Sequence, residues 1–390
     1  MKPLQGVRVI TLEQFGAAPY GTMFLADLGA EVIKVESKAT GGDAARYGRP
    51  FMLGEADSQY FQGFNTGKRS VVLDLKSPEG RAQFEELVET ADAVVNNLRG
   101  DQPGKLGLDY ASLKAIRPSV VCLHISAFGR DNERASRPGY DFILQAETGL
   151  MSLTGEPDGA PARFGPSIVD YMTGMTAMTG LLACLMAARQ TGQGCDLDTS
   201  LFEVGLHQLN YAATWYLNEG KMSTRLSRSA HFAASPVQTA RAADGWVFVM
   251  CMTDKFWAAL ASAVERPAWL TDPRFATNDL RHANRAALTG ELDAVFSADT
   301  MDSWVARLGG TVPIGPVYDV AQALDSPFVE RIGMVRTVPH ATRPDFRLLA
   351  NPLRIGGQRL EQTSCAALGA DNAALFGAAE TRLEEKRRVG

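Results

Sequence analysis

The chain has 390 residues, which at about 100–200 residues per domain predicts two domains with sizeable cores. Its formal net charge is −5 and it has no long basic run, which argues against nucleic acid as a partner. Five scattered cysteines without a CxxC pair are typical of reduced thiols in a cytosolic protein and predict neither disulfides nor a zinc site. The start lacks an apolar signal core, and the most apolar stretch, 177–187, is shorter than a bilayer span. We therefore expect a cytoplasmic protein with no membrane segment.

Apolar strands alternate with amphipathic helices along the first third of the chain. The predicted strands are 7–12, 31–36, 70–75, 91–97 and 119–126, and the predicted helices between them are 21–28, 78–90 and 110–116. Such alternation predicts an α/β fold with a doubly wound, mostly parallel sheet. Ligands of these sheets bind at the carboxyl ends of the strands.

Polar side chains stand at the carboxyl ends of these predicted strands. In chain order they are Glu13 and Gln14, then Glu36, Ser37 and Lys38, then Lys76, then Asn96, Asn97 and Arg99, and finally Ser126. Lysines beside strands are commonly just solvated, so no single residue identifies a site. Gathered in one crevice, however, these cations and amides suit a phosphate-bearing ligand.

A run with helical spacing from 171 to 189 follows the carboxylate of Asp170, and glycines at 192 and 194 provide a stop. The pattern predicts that Asp170 is the N-cap, a position that Asp favours and where its charge suits the helix dipole. We predict a further amphipathic helix over 202–220 and a polar, basic crossing over 221–230.

The elements beyond that crossing predict a second, smaller α+β domain over about 225–325. We expect a hairpin over 239–252 with its turn at 243–245, followed by helices over 255–264 and 281–296. The tail has one more strand and a charged, solvated end at 383–390.

Motifs for several common chemistries are missing from the sequence. The loop after the first strand reads EQFGAAPYGT, without the GxGxxG of a dinucleotide site, and no GxxxxGK[ST] phosphate loop occurs. The five histidines have no metal-ligand spacing, and no serine stands in a GxSxG elbow. What remains is the crevice of cations and amides together with Asp170.

Seven segments, spread from about residue 4 to about residue 369, carry a family resemblance. They read LEQFGAAPYGTMFLADLGAEVIKVES, GKRSVVLDLKSPEGR, NNLRGDQPGKLGL, PGYDFILQAETG, VDYMTGM, DPRFATN and VPIGPVYDV. Together they resemble the class III CoA-transferases, the family of formyl-CoA transferase and carnitine CoA-transferase, whose superfamily includes α-methylacyl-CoA racemase.

The resemblance implies that Asp170 is the catalytic nucleophile, a role that its capping does not exclude. With a reference pKa of about 3.9, an aspartate is ionised at neutral pH without an auxiliary base. Proximity to a thioester and exclusion of solvent compensate for its weak nucleophilicity. The implied reaction moves CoA from an acyl-CoA donor to a free carboxylic acid through an aspartyl anhydride and an aspartyl-CoA thioester. CoA is then a co-substrate, and no metal is needed.

Contacts to CoA carry over from the resemblance by position. They fall on Gly16, Ala17, Lys38, Leu73, Lys76, Asn97, Leu98, Arg99 and Lys105. The region of Lys38 departs from the family pattern, which often has Arg directly after the Glu of VIKVE, where this chain has Ser37. Tyr140 is implied to line the acyl end of the site.

The resemblance also implies an overall organisation. We expect a Rossmann-like large domain built from 1–224 and 326–390, a small domain over 225–325, and a homodimer of interlaced chains.

The segment LEQ followed by AAP resembles members that move CoA among C4 and C5 dicarboxylates such as succinate, mesaconate, itaconate and citramalate. A second carboxylate requires a buried cation, for which Arg137, Arg163 and Arg228 are the candidates. The glycine-rich flap of formyl-CoA transferase is replaced by HFAASPVQ at 231–238, which argues against formate and oxalate.

Two alternatives stay open. A racemase of the same superfamily needs a second acid/base, but where racemases have His this chain has Tyr140, whose reference pKa of about 10 suits proton exchange poorly. A catalytically silent acyl-CoA-binding protein would keep the crevice, but the presence of Asp170 argues against it.

Overall fold

The computed structural model describes residues 1–377 and divides into two compact units. The first unit is built from 1–148, 165–208 and the stretch from 327 onward, and the second from 149–164 and 209–326. The main stretch of the second unit thus begins at 209, whereas the predicted small domain begins at 225. The predicted solvated end, 383–390, lies outside the described residues.

The strands and helices follow one another in the alternating order expected of an α/β chain. The strands are β1 (Arg8–Leu12), β2 (Glu31–Ser37), β3 (Met52–Gly54), β4 (Asp57–Ser58), β5 (Arg69–Leu73), β6 (Ala93–Asn96), β7 (Val121–Ser126), β8 (Cys195–Ser200), β9 (Val237–Arg241), β10 (Trp246–Met250), β11 (Ile314–Pro316), β12 (Val335–Thr337), β13 (Arg347–Leu349), β14 (Arg354–Ile355) and β15 (Gln358–Arg359). The α-helices are α1 (Ala17–Asp27), α2 (Gln59–Asn65), α3 (Pro78–Val88), α4 (Tyr110–Leu113), α5 (Asp141–Glu147), α6 (Ile168–Thr191), α7 (Leu201–His207), α8 (Asn210–Glu219), α9 (Asp254–Ala263), α10 (Asn278–Ala283), α11 (Arg285–Phe296), α12 (Met301–Leu308), α13 (Val320–Leu324) and α14 (Pro327–Ile332).

The first unit is organised around a six-stranded parallel sheet with the strand order β5-β2-β1-β6-β7-β8. Counted along the chain, this is the 3-2-1-4-5-6 order of a doubly wound Rossmann sheet, so the predicted fold class is confirmed. The five predicted strands are β1, β2, β5, β6 and β7. The edge strand β8 was not among the predicted strands, because Asp196 and Asp198 interrupt its apolar residues.

The order of the sheet reverses between β1 and β6, which pair with each other in parallel. At such a switch point the loops leave in opposite directions and open a crevice. Gln14 and Asn97, which follow these strands, tie the two loops together. The Gln14 N–H donates to Asn97 Oδ1 at 2.8 Å, and Asn97 Nδ2 donates to the Gln14 carbonyl at 2.7 Å.

Helix α6 packs directly against α1 through small residues. A Cβ atom at Gly174 would lie 2.5 Å from the Ala17 carbonyl oxygen, and one at Gly21 would lie 2.8 Å from the Gly174 carbonyl oxygen. Larger side chains would therefore separate the helices. This close approach explains why α6 is rich in small residues, and it brings the starts of the two helices together.

The length of α6 corrects one expectation. Its 24 residues are long and apolar enough to cross a bilayer by length and composition, whereas the sequence analysis judged the apolar stretch too short. Val169, Leu181 and Leu185 on this helix are buried, whereas Met175 and Met186 are exposed.

The second unit contains a three-stranded sheet in the order β11-β10-β9. The predicted hairpin is confirmed, since β9 and β10 pair antiparallel. A buried core lies beside this sheet, in which the rings of Trp257 and Trp269 stack with centroids 5.4 Å apart.

Two predicted helices are each divided in the structure. The single helix predicted over 202–220 is wrong, because α7 ends at His207 and Asn210 has a positive φ of 41° where α8 begins. The two halves belong to different units. The helix predicted over 281–296 is likewise split into α10 and α11.

Candidate active site

A cavity of about 260 Å³ lies at the carboxyl ends of β1, β6 and β7 in the first unit. It is lined by Gln14, Phe15, Gly16, Ala17, Asn97, Leu98, Arg99, Ile125, Ser126, Ala127, Arg137, Pro138, Gly139, Tyr140, Asp170 and Leu201. The predicted nucleophile, five of the predicted CoA contacts, Tyr140 and one of the three candidate arginines, Arg137, are among these residues. The switch point of the sheet thus brings most of the predicted site together.

A second cavity of about 290 Å³ shares Gln14 and Leu98 with the first. It contains two further predicted CoA contacts, Leu73 and Lys76. The two cavities therefore follow one another along the carboxyl edge of the sheet, from Asp170 toward β5. An elongated ligand suits this arrangement.

Two predicted CoA contacts, Lys38 and Lys105, line neither cavity. Lys38 is exposed in a short turn directly after β2. Lys105 is exposed on the surface and forms an ion pair with Asp101, Nζ to Oδ2, at 2.7 Å. Their assignment to CoA stays a prediction.

Asp170 is the third residue of α6, since the helix begins at Ile168 and its N-cap is Ser167. The predicted N-cap role of Asp170 is therefore wrong. The N–H groups of Val169 and Asp170 instead donate to Oδ2 of Asp141, at 2.7 and 3.0 Å. Asp141 follows Tyr140 in the PGYD segment and is the first residue of α5.

The Asp170 carboxylate faces the start of α1. A Cβ atom at Gly16 would lie 2.3 Å from Asp170 Oδ2 and 2.9 Å from its Cγ, so only glycine fits between them. Gly16 is the N-cap of α1, and it offers no side chain to the free backbone N–H groups of that helix. The nucleophile candidate therefore lies beside a helix start whose donors are open to an incoming oxyanion.

Burial, together with the negative charge of Asp141, raises the pKa of Asp170 to about 7. Within residues 1–377, no hydrogen bond to the Asp170 carboxylate offsets this effect. Asp170 is therefore less readily ionised near neutral pH than an ordinary aspartate. Because its pKa is higher, the ionised form of Asp170 is more basic than an ordinary aspartate.

The loop between β1 and α1 holds Phe15 in a left-handed conformation, with φ +58°. Its N–H donates to Asp43 Oδ1 at 3.3 Å, and its ring meets Tyr140 edge to face with centroids 5.8 Å apart. Such strained residues persist where surrounding structure holds them, often at functional sites. The sequence analysis missed Phe15, because no local signal marks a positive φ at a phenylalanine.

A network of six charged side chains is buried around the ends of β1 and β2. Its ion pairs are Glu13 Oε1 to Lys68 Nζ at 2.7 Å, Asp43 Oδ2 to Lys34 Nζ at 2.9 Å, and Glu36 Oε1 to Arg46 Nη2 at 2.7 Å. Burial alone would raise the pKa of Glu13, but Lys68 and Lys34 outweigh it and hold that pKa below its ordinary value. The polar strand-end residues Glu13 and Glu36 are thus satisfied inside the protein.

Of the three arginines considered for a second carboxylate, Arg137 lines the cavity, but its side chain is exposed and not buried as expected. Its guanidinium pairs with Glu147 and lies 4.9 Å from the Phe128 ring centroid. Arg134 also pairs with Glu147, at 3.2 Å, so two arginines share one carboxylate and leave a positive charge at this rim. Arg163 and Arg228 belong to the second unit.

Throughout the described part of the chain, no group of three or more His, Cys, Asp or Glu side chains is arranged to hold a metal ion. The groups in the cavity that could react with or bind a substrate are the Asp170 carboxylate, the guanidinium groups of Arg99 and Arg137, and the backbone N–H groups at the start of α1.

Comparison with known proteins gives a consistent result. Residues 4–372 match the family model described as CoA-transferase family III. The chain is 36% identical to a succinate–glutarate CoA-transferase of Agrobacterium fabrum over 85% of this chain and 84% of that protein. It is 35% identical to an acetyl-CoA:oxalate CoA-transferase of Acetobacter aceti over 91% of this chain and 90% of that protein. A crystal structure of a CAIB/BAIF family protein from Brucella suis aligns with a TM-score of 0.85 and 35% identity, covering 97% of this chain and 99% of that one.

Proposed function

Because the chain belongs to CoA-transferase family III and is a CoA-transferase, we propose that it transfers CoA between carboxylic acids through covalent adducts of Asp170. The observation that carries this proposal is the placement of Asp170. Its carboxylate lies on the cavity wall against Gly16, without a cation partner within the described chain. A half-buried carboxylate without a cation partner is more basic than an ordinary aspartate, and its place on the cavity wall leaves room for a substrate carbonyl.

The proposed reaction begins when an Asp170 oxygen attacks the thioester carbonyl of the donor. A C–O bond forms and the C–S bond breaks, which gives a mixed anhydride and CoA thiolate. The thiolate then attacks the Asp170 carbonyl, and the donor acid leaves as a carboxylate. The acceptor carboxylate reverses these two steps and leaves with CoA, so protons and electrons balance without another reactant. The free N–H groups at the start of α1 would stabilise the oxyanions in this reaction.

CoA itself is proposed to lie along the two cavities. Gly16 and Ala17 would flank the thioester end, Asn97, Leu98 and Arg99 the middle, and Leu73 and Lys76 the far end. Lys38 and Lys105 would join from the exposed edge. The support is that all of these residues except Lys38 and Lys105 line two cavities that follow one another along the carboxyl edge of the sheet.

The proposed substrates are C4–C5 dicarboxylates. The relative named for succinate and glutarate supports this range, and Arg137 supplies a cation on the cavity that holds Asp170. The net positive charge of the Arg134, Arg137 and Glu147 cluster leaves capacity for an additional carboxylate.

We also propose that the enzyme is a cytoplasmic homodimer, as the resemblance implies. Apolar side chains exposed on α6 and α7, such as Met186 and Leu206, support a further partner surface. Sedimentation at micromolar concentration should give twice the 42.1 kDa chain mass, and a monomer would contradict the proposal.

A panel of CoA donors and acid acceptors, followed by liquid chromatography, tests the proposed substrates. We expect succinyl-CoA with glutarate, mesaconate, itaconate or citramalate to give faster transfer than formate, acetate or oxalate. Arg137→Met should raise the KM for the dicarboxylates selectively. Lys114→Met, which removes an exposed cation beside α4 and outside the cavity lining, is the control.

Other outcomes of the panel contradict the proposal. Preference for oxalate, the substrate named for the Acetobacter aceti relative, would refute the C4–C5 assignment but keep the reaction. Exchange of the α-proton of a 2-methylacyl-CoA in deuterium oxide, without transfer, would identify a racemase. Tight CoA binding without either reaction would identify a silent binding protein.

A further inference from the structure

Asp141 is a buried carboxylate with both oxygens engaged. It is 3% exposed, and its Oδ2 accepts the N–H groups of Val169 and Asp170. Its Oδ1 accepts a hydrogen bond from Gln145 Nε2 at 2.6 Å, one helical turn along α5. These hydrogen bonds hold the Asp141 carboxylate in place and do not indicate that either oxygen reacts with a substrate.

The contacts of Asp141 determine what the start of α6 offers to Asp170. A helix N-terminus stabilises a neighbouring carboxylate through its free N–H groups and its dipole. Ser167, the N-cap of α6, makes no side-chain capping bond, and two of the free N–H groups point to Asp141 instead. Asp170, on the same first turn, keeps its carboxylate toward Gly16 and the cavity.

We propose that Asp141 is a positioning residue, which occupies the N–H groups at the start of α6 and so holds the Asp170 carboxylate unpaired, beside a fixed negative charge, where the substrate binds. This inference rests on the proposed role of Asp170 as nucleophile. Its chemical consequence is a carboxylate with higher basicity than the helix start alone would allow, and nucleophilicity toward a thioester rises with basicity.

The other ionisable groups around Asp170 do not replace Asp141 in this role. Tyr60 on α2 and Tyr171 on α6 both feel the Asp170 charge, but burial raises the pKa of each phenol, that of Tyr60 to about 12. They therefore stay neutral over the pH range of an assay. Arg99 and Arg137 line the same cavity and would lower the pKa of Asp170, opposite to the shift that is found.

Asp141→Asn separates charge from capping, because the amide oxygen can accept the same two N–H bonds and Gln145 can turn its carbonyl toward the new amide group. The measurement is the single-turnover rate of aspartyl-CoA formation from succinyl-CoA across pH 5–9. We expect the midpoint of the acid limb to move by about one pH unit below its wild-type position near 7, and the high-pH plateau to fall about tenfold. The profiles of variant and wild type then converge toward low pH, which a merely structural defect would not produce.

Three further variants make the result unambiguous. Asp141→Ser tests the same point with a hydroxyl cap if the Asn variant does not fold. Asp141→Ala removes the cap as well as the charge and should lower the plateau further. Asp319→Asn, at a capping box on α13 in the second unit, should leave the pH profile unchanged.

The inference is overturned if a folded Asp141→Asn or Asp141→Ser protein keeps the wild-type acid limb and a plateau within about twofold. That outcome is distinct from failure of the proposed function, in which Asp170→Asn itself would keep transferring CoA. The CoA affinity of the Asp141 variants should stay near the wild-type value, and a loss of binding in parallel with the rate would also contradict a positioning role.

Discussion

Glu13 and Asp170 are two carboxylates of the first unit, one buried and one half-buried, whose pKa values shift in opposite directions. Glu13 lies 2.7 Å from Lys68 and accepts from the Thr22 hydroxyl, and these contacts hold its pKa low. Asp170 has Asp141 as its charged neighbour, and its pKa rises to about 7. Burial with a cation thus yields a fixed structural charge. Desolvation without a cation partner destabilises the charged form of the carboxylate and so raises its pKa.

The two carboxylates are connected through the first loop. The network that contains Glu13 also holds Asp43, which accepts the Phe15 N–H and so fixes the residue before Gly16. Gly16 in turn lies against Asp170. The buried ion-pair network therefore helps to fix the loop at Phe15 and Gly16, against which the unpaired Asp170 carboxylate lies.

The largest expected effect comes from Asp170→Asn. The amide is similar in size but is a far weaker nucleophile, so we expect transfer to fall by about 10⁴-fold or more while CoA binding persists. Steady-state transfer and calorimetric CoA binding measure the two quantities. Retained activity in a preparation verified to be free of deamidation to Asp would remove Asp170 from the mechanism.

The stability of matched amide variants should change in opposite directions. Glu13→Gln leaves Lys68 without its counter-charge in the core, and we expect a loss of about 3–5 kcal/mol in urea unfolding. Asp170→Asn should instead stabilise the fold by about 1–3 kcal/mol at pH 8, because it removes an unpaired carboxylate. Glu31→Gln, which disrupts the half-exposed pairs with Arg8 and Arg69, is the control and should cost about 1 kcal/mol or less.

The pH dependence of these changes has a definite sign. The folded pKa of Asp170 lies above its unfolded value, so stability from its protonated form is full at about pH 4 and is lost as the pH rises through about 7. The advantage of Asp170→Asn should therefore grow between about pH 4 and pH 7 and be full above about pH 7. The folded pKa of Glu13 is depressed, so the cost of Glu13→Gln should shrink as the medium is acidified below the unfolded pKa of about 4.5. If the unfolding free energies of Glu13→Gln and Asp170→Asn changed by the same amount and in the same direction with pH, the contrast between the two carboxylates would be wrong.

Gly16→Ala perturbs the unpaired carboxylate without touching the network. The Gly16 backbone, with φ −104°, accommodates alanine, but the new Cβ would overlap the Asp170 carboxylate and force it to turn away. We expect a loss of about 10²-fold in kcat with little change in unfolding free energy. Gly63→Ala on α2, where nothing lies within 4 Å of the added Cβ, is the matched control. Equal activity in both variants would contradict the close contact.

The smallest expected effect concerns cations outside the network. Lys34 and Lys68 are buried with carboxylate partners, whereas Arg99 lines the cavity, with Asp101 3.3 Å away. Arg99→Ala should raise the KM for acyl-CoA about tenfold with kcat within about twofold, as expected when uniform binding is lost. Lys105→Ala should act in the same direction, and Lys114→Ala, exposed beside α4, should not. Unchanged KM values would remove both residues from the CoA site.

Much of the fold could be predicted because short stretches of the sequence carry the apolar patterns that are typical of strands and helices. The five predicted strands are apolar runs that the sequence shows directly. The polar residues at their carboxyl ends correctly predicted the crevice at the switch point. The strand β8 lacks that signal because alternate residues are acidic, and the break between α7 and α8 depends on Asn210 adopting a positive φ. Such features are set by packing over long distances, which a local pattern does not record.

The site could be predicted in its composition but not in its electrostatics. The resemblance placed Asp170, Tyr140 and the loop residues on what proved to be one cavity. It could not reveal that Asp141, 29 residues earlier, caps α6 in place of Asp170, because the contact joins two helices distant in sequence. For the same reason Glu13 and Glu36 resembled ligand contacts, although Lys68 and Arg46 satisfy them inside the fold.

Trapping of the covalent adduct tests the central claim most directly. The enzyme is incubated with succinyl-CoA without an acceptor, treated with hydroxylamine or borohydride, digested and analysed by mass spectrometry, with the Asp170→Asn protein in parallel. The account predicts modification of the peptide that begins α6, at Asp170, in the wild type and none in the variant. Modification of another residue, or CoA transfer with no modified residue at all, would contradict it.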